Sequence, residues 1–238
     1  MAEATQQRIV LVTGASRGIG RAAAVALGKA RAHVVLVART VGGLEEADDE
    51  LRTAGGSATL VPLDLKNFDG IDQLGATIYE RWGRLDGFLG NAGVLGVLTP
   101  LPHLAPKVWQ ESIDVNVTAN WRLIRSLDPL LRKSEAARVL FISSGAARQF
   151  RPYWGSYSIA KAALEALSLT YAAECANTNI KVNLFDPGPL RTQMREKAFP
   201  GEDPMSLQPP EAVAPSIVEM LSPSYTKNGD LVSFSQAR

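Results

Sequence analysis

Residues that bind metal ions or form disulfides are scarce in this chain. One cysteine, Cys175, and two histidines occur among 238 residues. A single cysteine has no partner for an internal disulfide, and so few soft ligands argue against a zinc site. The alanine-rich helical stretch around Cys175 predicts a small buried side chain, and the acidic run at residues 45–50 predicts a solvated helix surface. We therefore expect no metal, and the cysteine content suits a reducing compartment.

An excess of charge and long apolar runs are also missing. The 25 basic and 24 acidic residues give a formal charge of +1, which provides no broad field for nucleic acid or an anionic membrane. Apolar runs stay well below the roughly 20 residues that span a bilayer, and the opening MAEATQQR lacks the apolar core of a secretion signal. We expect neither nucleic acid nor membrane as a partner, and a cytoplasmic location.

A glycine-rich turn follows the first apolar run of the chain. Ile9 to Val12 read as a strand buried on both faces, and Gly14, Gly18 and Gly20 follow in TGASRGIG before a helical pattern that starts near Gly18. A glycine lets the backbone approach a pyrophosphate closely, and a helix N-terminus attracts that anion. The alternative is a flexible loop, but the strand before the turn and the amphipathic helix after it favour a dinucleotide site.

The end of the second strand bears on the choice of dinucleotide. In such folds an acidic residue about 20 positions after the glycines binds the ribose 2′-hydroxyl of NAD. Ala38 and Arg39 stand there instead, so a guanidinium is available for the 2′-phosphate of NADP. Arg17 beside the turn offers a second contact. Either arginine alternatively serves as an ordinary surface charge, yet the pattern favours NADP over NAD.

Tyr157 and Lys161 form the most informative pair in the chain. They lie four residues apart in YWGSYSIAKAALEAL, a spacing that places both side chains on one face of a helix. A free phenol has a pKa of about 10, and a nearby ammonium favours the phenolate. The pair therefore predicts a general acid/base, whereas an isolated pair would be read as a half-buried tyrosine beside a solvated lysine.

Strand patterns alternate with helical patterns along the whole chain. This alternation predicts an α/β fold: a Rossmann-type doubly wound parallel sheet of about seven strands with helices on both faces. We expect one dinucleotide-binding oxidoreductase domain over residues 1–238, with ligands at the carboxyl ends of the strands. The strands are predicted near residues 9–12, 33–38, 58–62, 87–90, 138–143, 180–184 and 231–234.

The motifs together resemble those of the short-chain dehydrogenase/reductase family over nearly the whole chain. They are TGASRGIG at 13–20, LDL at 63–65, NAG at 91–93, VN at 115–116, ISS at 142–144, YSIAK at 157–161 and DPGPLRT at 186–192. The resemblance implies reversible hydride transfer between NADP(H) and a carbonyl or alcohol carbon of a small molecule. A dinucleotide-binding scaffold or regulatory protein on the same fold is the alternative.

The resemblance also implies a role for each matched residue. Tyr157 is the acid/base, Lys161 contacts the nicotinamide ribose and lowers the tyrosine pKa, and Ser144 holds the substrate oxygen. Ser143 is the neighbouring candidate, but its spacing to the tyrosine fits less well. Asn116, inside a helical pattern, holds a water in a relay to the lysine. The implied cofactor contacts are Gly14, Ser16, Arg17, Gly18, Ile19, Gly20, Arg39, Asp64, Leu65, Asn91, Ala92, Gly93, Tyr157, Lys161, Pro187, Gly188, Leu190 and Thr192.

Several features depart from the family pattern or extend it. Arg31 stands where a glycine is usual, so a left-handed turn there would be strained, and Gly90 replaces a common asparagine. Residues 198–211, within a substrate loop of approximately 189–211, look like a lid, with an inert surface excursion as the alternative. Arg148 and Arg151 hint at an anionic substrate unless they are solvent-facing charges. Small residues on the helices of Asn116 and Tyr157 suggest a homo-oligomer, a dimer or tetramer, although they need no partner if the helices only cover the sheet.

Overall fold

The computed structural model describes residues 7–234. Seven parallel strands form one sheet in the order β3-β2-β1-β4-β5-β6-β7. The expected Rossmann-type fold is confirmed, and each strand lies within two residues of its predicted bounds. The strands are β1 (Ile9–Thr13), β2 (His33–Ala38), β3 (Ser57–Pro62), β4 (Gly87–Gly90), β5 (Arg138–Ile142), β6 (Lys181–Asp186) and β7 (Leu231–Ser233).

Helices cover both faces of the sheet, and each face has its own apolar core. One core joins β1, β4 and β5 to α3, α5 and α7, and the other joins the sheet to α1, α2 and α9. A π-helical turn, Asp114–Thr118, connects α4 to α5. The helices are α1 (Gly18–Lys29), α2 (Val41–Thr53), α3 (Phe68–Trp82), α4 (Pro106–Ile113), α5 (Ala119–Leu131), α6 (Ala146–Gln149), α7 (Gly155–Glu174), α8 (Gln193–Ala198) and α9 (Ala214–Met220).

The order of the strands determines where a ligand can bind. The chain runs from β1 outward to β3 on one side and then returns to place β4 against the other side of β1. The loops after β1 and β4 therefore diverge to opposite faces and leave a crevice at the carboxyl ends of these strands, which is where doubly wound folds bind ligands.

Two unusual positions have a local physical explanation. Arg31 adopts a left-handed φ of 65° in the turn after α1, where its N–H donates to Gly28 O at 2.9 Å. The expected strain is therefore present, because a side chain occupies a conformation that favours glycine. At Gly90 an added Cβ would lie 2.4 Å from Cδ1 of Phe141, so the large ring on β5 requires glycine on β4.

The acidic run of α2 is less uniformly solvated than expected. Asp48 is only 9% exposed and accepts a hydrogen bond from Arg52 at 2.7 Å. Glu46 and Glu50 both bind Arg21 of α1, so part of the run ties the two helices together.

Cys175 is buried, as predicted for a small filling side chain. Within residues 7–234 no helix is long and apolar enough to cross a membrane, and no group of histidine, cysteine and acidic residues there has the arrangement of a metal site. The expectation for most of the opening MAEATQQR falls outside the described part of the chain.

Candidate active site

The glycine turn after β1 has the backbone geometry of an anion cradle. Gly14 and Gly18 have φ values of +66° and +56°. A Cβ at Gly20 would lie 2.3 Å from Gly14 O, so this glycine permits close packing of α1 against the turn. Arg17 precedes α1 in an extended conformation, and its side chain makes no capping hydrogen bond with any described residue. The first N–H groups of α1 are therefore suited to a phosphate oxygen.

A cleft of about 1100 Å³ runs along the carboxyl ends of the strands. This volume exceeds the roughly 300–1,000 Å³ of a site for one small ligand and suits a dinucleotide together with a substrate. All the expected cofactor contacts line the cleft except Gly20, which packs against Gly14 instead. The residues present therefore fit a nicotinamide dinucleotide.

Thr13, a residue that the sequence patterns did not single out, organises the floor of the cleft. Its hydroxyl accepts hydrogen bonds from the backbone N–H groups of Asn91 at 3.0 Å and Ala92 at 3.1 Å. The Asn91 amide donates back to Thr13 O at 2.9 Å. These contacts hold the loop after β4 against the glycine turn. The sequence signal for this role was the place of Thr13 at the end of a buried strand and at the start of the TGASRGIG motif.

The two arginines expected near the 2′-phosphate have different surroundings. The Arg39 side chain is 58% exposed, and its Nη1 lies 3.9 Å from Asp64 Oδ2, a distance that leaves the guanidinium able to reorient. Arg17 donates to Gln193 Oε1 of α8 at 2.9 Å. Arg39 is therefore the more available of the two for a phosphate.

The side chains of Tyr157 and Lys161 lie buried beside each other on α7. Nζ of Lys161 lies 5.8 Å from the centroid of the Tyr157 ring and donates to Ile142 O at 2.7 Å. Burial raises the pKa of Tyr157 to about 12, against a smaller lowering by the hydrogen bond with Ser144 and a further rise from Asp186. Burial lowers the pKa of Lys161 to about 8, and Glu165 and Asp186 oppose that change.

The pKa of Tyr157 is raised, whereas the nearby lysine led us to expect a lowered pKa. An ammonium in water would favour the phenolate, but both groups lie in a region of low dielectric that disfavours either charge. In this protein burial is the largest effect on the tyrosine and raises its pKa, so Tyr157 holds its proton at neutral pH. The four-residue spacing indicates that the two side chains are close, but it carries no information on their desolvation.

Asn116 lies in the π-helical turn between α4 and α5 and not in a regular α-helix as its sequence pattern suggested. Its Oδ1 accepts from Val94 N at 3.0 Å, and its Nδ2 donates to Val94 O at 3.0 Å and to Ser112 O at 2.9 Å. A Cβ at Gly93 would lie 2.7 Å from Asn116 Oδ1 and 3.7 Å from Lys161 Nζ. The amide therefore ties the loop after β4 to the helix close to the lysine. Single π-turns of this kind are frequent at functional sites.

Aromatic side chains connect the tyrosine to the segment after β6. Trp154 lies with its ring centroid 6.0 Å from that of Tyr157 and 5.6 Å from that of Phe199, just after α8. The following residues form turns at Pro204–Ser206 and Pro210–Val213, and Arg191 N donates to Gln208 O at 2.9 Å. The expected lid segment is therefore folded back against the loop that follows β6. The short helix α8 was not predicted from the sequence.

Arg148 and Arg151, the two arginines that hinted at an anionic substrate, also have different surroundings. Arg148 binds the carboxylates of Glu165 and Asp186, so its charge is engaged within the protein. Arg151 is exposed at the wall of the cleft.

Comparison with known proteins supplies independent findings. The family model described as short chain dehydrogenase matches residues 8–203. The uncharacterized oxidoreductase YciK of Escherichia coli K12 is 39% identical over 87% of this chain and 83% of its own length. A 3-oxoacyl-[acyl-carrier-protein] reductase of Synechocystis is 34% identical over 79% of this chain and 76% of its own.

Solved structures of short chain dehydrogenases are also similar to this chain. A short chain dehydrogenase of Shigella flexneri 2a in complex with NADP superposes with a TM-score of 0.91 at 37% identity, covering 95% of this chain and 96% of that one. A short chain dehydrogenase of Escherichia coli CFT073 in complex with NADPH has a TM-score of 0.89 at 38% identity and covers 95% of each chain.

Proposed function

The chain belongs to the short-chain dehydrogenase family, whose members are oxidoreductases that bind a nicotinamide dinucleotide, and from this premise we propose that it reduces a carbonyl group with NADPH. The observation that carries the proposal is that Tyr157, Ser144 and Lys161 line the same cleft, with Tyr157 and Lys161 buried one helical turn apart on α7. These side chains combine a proton donor, a hydroxyl for the substrate oxygen and a cation in one place.

In this proposal Tyr157 acts first as an acid. Its pKa of about 12 keeps the phenol protonated at neutral pH, so it can donate to an alkoxide that forms on the substrate. Ser144 shares the developing negative charge, and the Lys161 ammonium stabilises the phenolate that remains. When bound, the nicotinamide supplies the hydride. A protonated tyrosine favours reduction over oxidation, because oxidation requires the phenolate at the start.

The preference for NADP rests on the end of β2. Ala38 places no carboxylate where a 2′-phosphate would bind, and Arg39 is exposed beside it. The Shigella and Escherichia structures were solved with NADP and NADPH, which supports the same choice here. We assign Arg39 the 2′-phosphate, the N-terminus of α1 the pyrophosphate, and Pro187 to Thr192 the nicotinamide carboxamide. Asn116 is proposed to support the lysine through its contacts with the loop after β4.

Turnover of NADPH tests this proposal directly. The wild-type protein is offered ketones, aldehydes, quinones and oxoacyl thioesters, and NADPH oxidation is followed by absorbance. We expect Tyr157→Phe to lower kcat by about 10²- to 10⁴-fold while NADPH binding persists, because the variant lacks only the transferred proton. Activity in the Phe variant equal to that of the wild type would contradict the role of Tyr157.

Variants of Arg39 test the cofactor assignment separately. Arg39→Ala should weaken NADPH binding and leave NADH binding nearly unchanged, since only NADPH carries the 2′-phosphate. Equal losses for both cofactors would refute the assignment of Arg39. Tight NADPH binding without turnover on the whole panel would instead favour a dinucleotide-binding scaffold.

We further propose that the protein works on a small molecule as a homo-oligomer, a dimer or tetramer. Apolar side chains are exposed on α5 and α7: Trp121 is 46%, Ile159 40% and Leu169 45% exposed. A second copy of the chain that covers these side chains would remove apolar surface from water.

A further inference from the structure

The end of β5 interacts with one face of α7 at three successive residues. Nζ of Lys161 donates to Ile142 O at 2.7 Å, the hydroxyl of Ser143 donates to Glu165 Oε1, and the side chain of Ser144 lowers the pKa of Tyr157 against the larger effect of burial. The three helix positions, 157, 161 and 165, follow one another at four-residue intervals and therefore share a face. Ser143 thus has a partner of its own, one turn beyond the lysine.

A guanidinium then links this face of α7 to β6. Nη1 of Arg148 binds Glu165 Oε1, and its Nη2 lies 2.5 Å from Asp186 Oδ2. The two carboxylate side chains are only 14% and 11% exposed. Asp186 is the last residue of β6, and its Oδ1 accepts from Gly188 N at 3.1 Å. Gly188 has a φ of +64°, so this bond holds a specific turn at the start of the loop assigned to the nicotinamide.

We propose that Arg148, Glu165 and Asp186, together with Ser143, form a positioning clamp that holds the catalytic face of α7 and the Gly188 turn in a single arrangement. The clamp residues act through Ser144, Tyr157 and Lys161, and none of them is assigned a proton in the reaction. The proposal rests on the proposed reductase function, because it assigns these residues a role in that reaction.

The charges of the clamp explain why all three ionised members are needed. Glu165 and Asp186 each carry −1 and Arg148 carries +1, so the clamp has a net charge of −1 beside the +1 of Lys161. The titratable groups that act on the lysine from the packed elements are Glu165 of α7 and Asp186 of β6, which both favour its charged form. Removal of the guanidinium would leave two carboxylates near each other with only the Lys161 ammonium as a counter-ion, which disfavours their present positions.

The test compares variants of the clamp with a control. Arg148→Gln should lower kcat for carbonyl reduction by about 10- to 100-fold, because small displacements of catalytic groups are costly. Arg148→Lys should restore only part of the rate, since an ammonium cannot bind two carboxylates as a planar fork. The control is Arg132→Gln, which removes an arginine bound to Asp128 at 2.7 Å on the exposed end of α5 and should leave kcat unchanged.

Two further readouts separate the clamp from general damage to the fold. The titration of Lys161, with its pKa of about 8, should give a break in the pH profile of kcat/KM, and this break should move in Arg148→Gln and in Glu165→Gln but not in Arg132→Gln. In the double variant Arg148→Gln/Glu165→Gln, kcat should fall by less than the product of the two single fold-decreases, because both changes disrupt the same interaction. The proposal would be overturned if the losses in kcat of the two single variants simply multiply in the double variant and the break in the pH profile stays in place.

Hydrogen exchange tests the clamp without reference to turnover. In Arg148→Gln the Gly188 amide should exchange faster, because Asp186 is no longer held to accept its hydrogen bond, while the core amides of β5 should stay protected. If the wild type turns over none of the carbonyl panel, the proposed function fails, and the exchange rates still decide on the clamp. Unchanged exchange at Gly188 together with wild-type kcat would refute the clamp itself.

Discussion

At the scale of the residue, burial determines the protonation of the two central side chains. Tyr157 has a raised pKa of about 12 and Lys161 a lowered pKa of about 8, because each would be charged in a region poor in water. In the proposed reaction the tyrosine therefore begins as an acid, and the lysine loses its charge at moderately alkaline pH. These directions follow from packing around α7 and not from the spacing of the two residues.

The lysine titration predicts a pH dependence of activity. We expect kcat/KM for reduction to be level below about pH 8 and to fall above it, because neutral Lys161 no longer stabilises the phenolate. The measurement is the initial rate at low substrate concentration between pH 6 and pH 10 with NADPH. A level profile through pH 9.5 would contradict the proposed role of the lysine.

The titration of Lys161 also predicts that stability rises with pH over the range in which activity falls. The folded pKa of Lys161 is about 8 and its ordinary value is 10.5, so between these values the unfolded chain binds more protons and the free energy of unfolding rises with pH. Below pH 8 both states are protonated, and this contribution is constant. The full change is about 3 kcal/mol. Denaturant titrations of wild type and Lys161→Met at pH 7.5 and 9.5 check it, because the variant should lack this part of the slope.

At the scale of the element, α8 and the residues after it form a wall of the cleft. Phe199 contacts Trp154, and Trp154 contacts Tyr157, so aromatic contacts connect the segment to α7. The sequence indicated only a segment rich in proline and polar residues. The contact between Trp154 and Phe199 joins residues 45 positions apart, and such pairings cannot be read from local patterns.

Loss of this contact should affect substrate binding more than chemistry. We expect Phe199→Ala to raise KM for the carbonyl substrate by about 2- to 10-fold, because one aromatic contact contributes about 0.5–1.5 kcal/mol. The value of kcat should change little. Phe199→Tyr is the matched control, since it keeps the ring and should keep KM. A wild-type KM in the alanine variant would favour an inert surface segment over a lid.

At the scale of the whole molecule, the exposed apolar side chains of α5 and α7 predict self-association. Sedimentation at micromolar concentration should give a dimer or tetramer, and Leu169→Glu should shift the protein towards monomer, because it places a charge on the apolar surface. Tyr79→Glu provides the control at a side chain of α3 that is 52% exposed. A wild-type protein that sediments only as a monomer would refute the oligomer.

Much of the architecture was predictable from the sequence because its causes are local. Apolar runs such as Ile9 to Val12 mark strands buried on both faces, and alternation with helices requires a parallel sheet. Parallel strands bring their carboxyl ends to one edge, so the sequence alone predicts that Gly14, Ser144 and the loop at Pro187 converge there. The four-residue spacing of Tyr157 and Lys161 placed both on one face of a helix.

Tertiary structure alone decided how these residues behave chemically. The π-turn at Asn116, the glycine that Phe141 requires at position 90, and the ion pairs of Arg148 all depend on which distant segments pack together. The pKa shifts of Tyr157 and Lys161 also depend on tertiary structure, because the solvent accessibility of a side chain is a property of the packed molecule. Sequence spacing determines which groups can meet, whereas desolvation and long-range partners determine the charges they carry when they do.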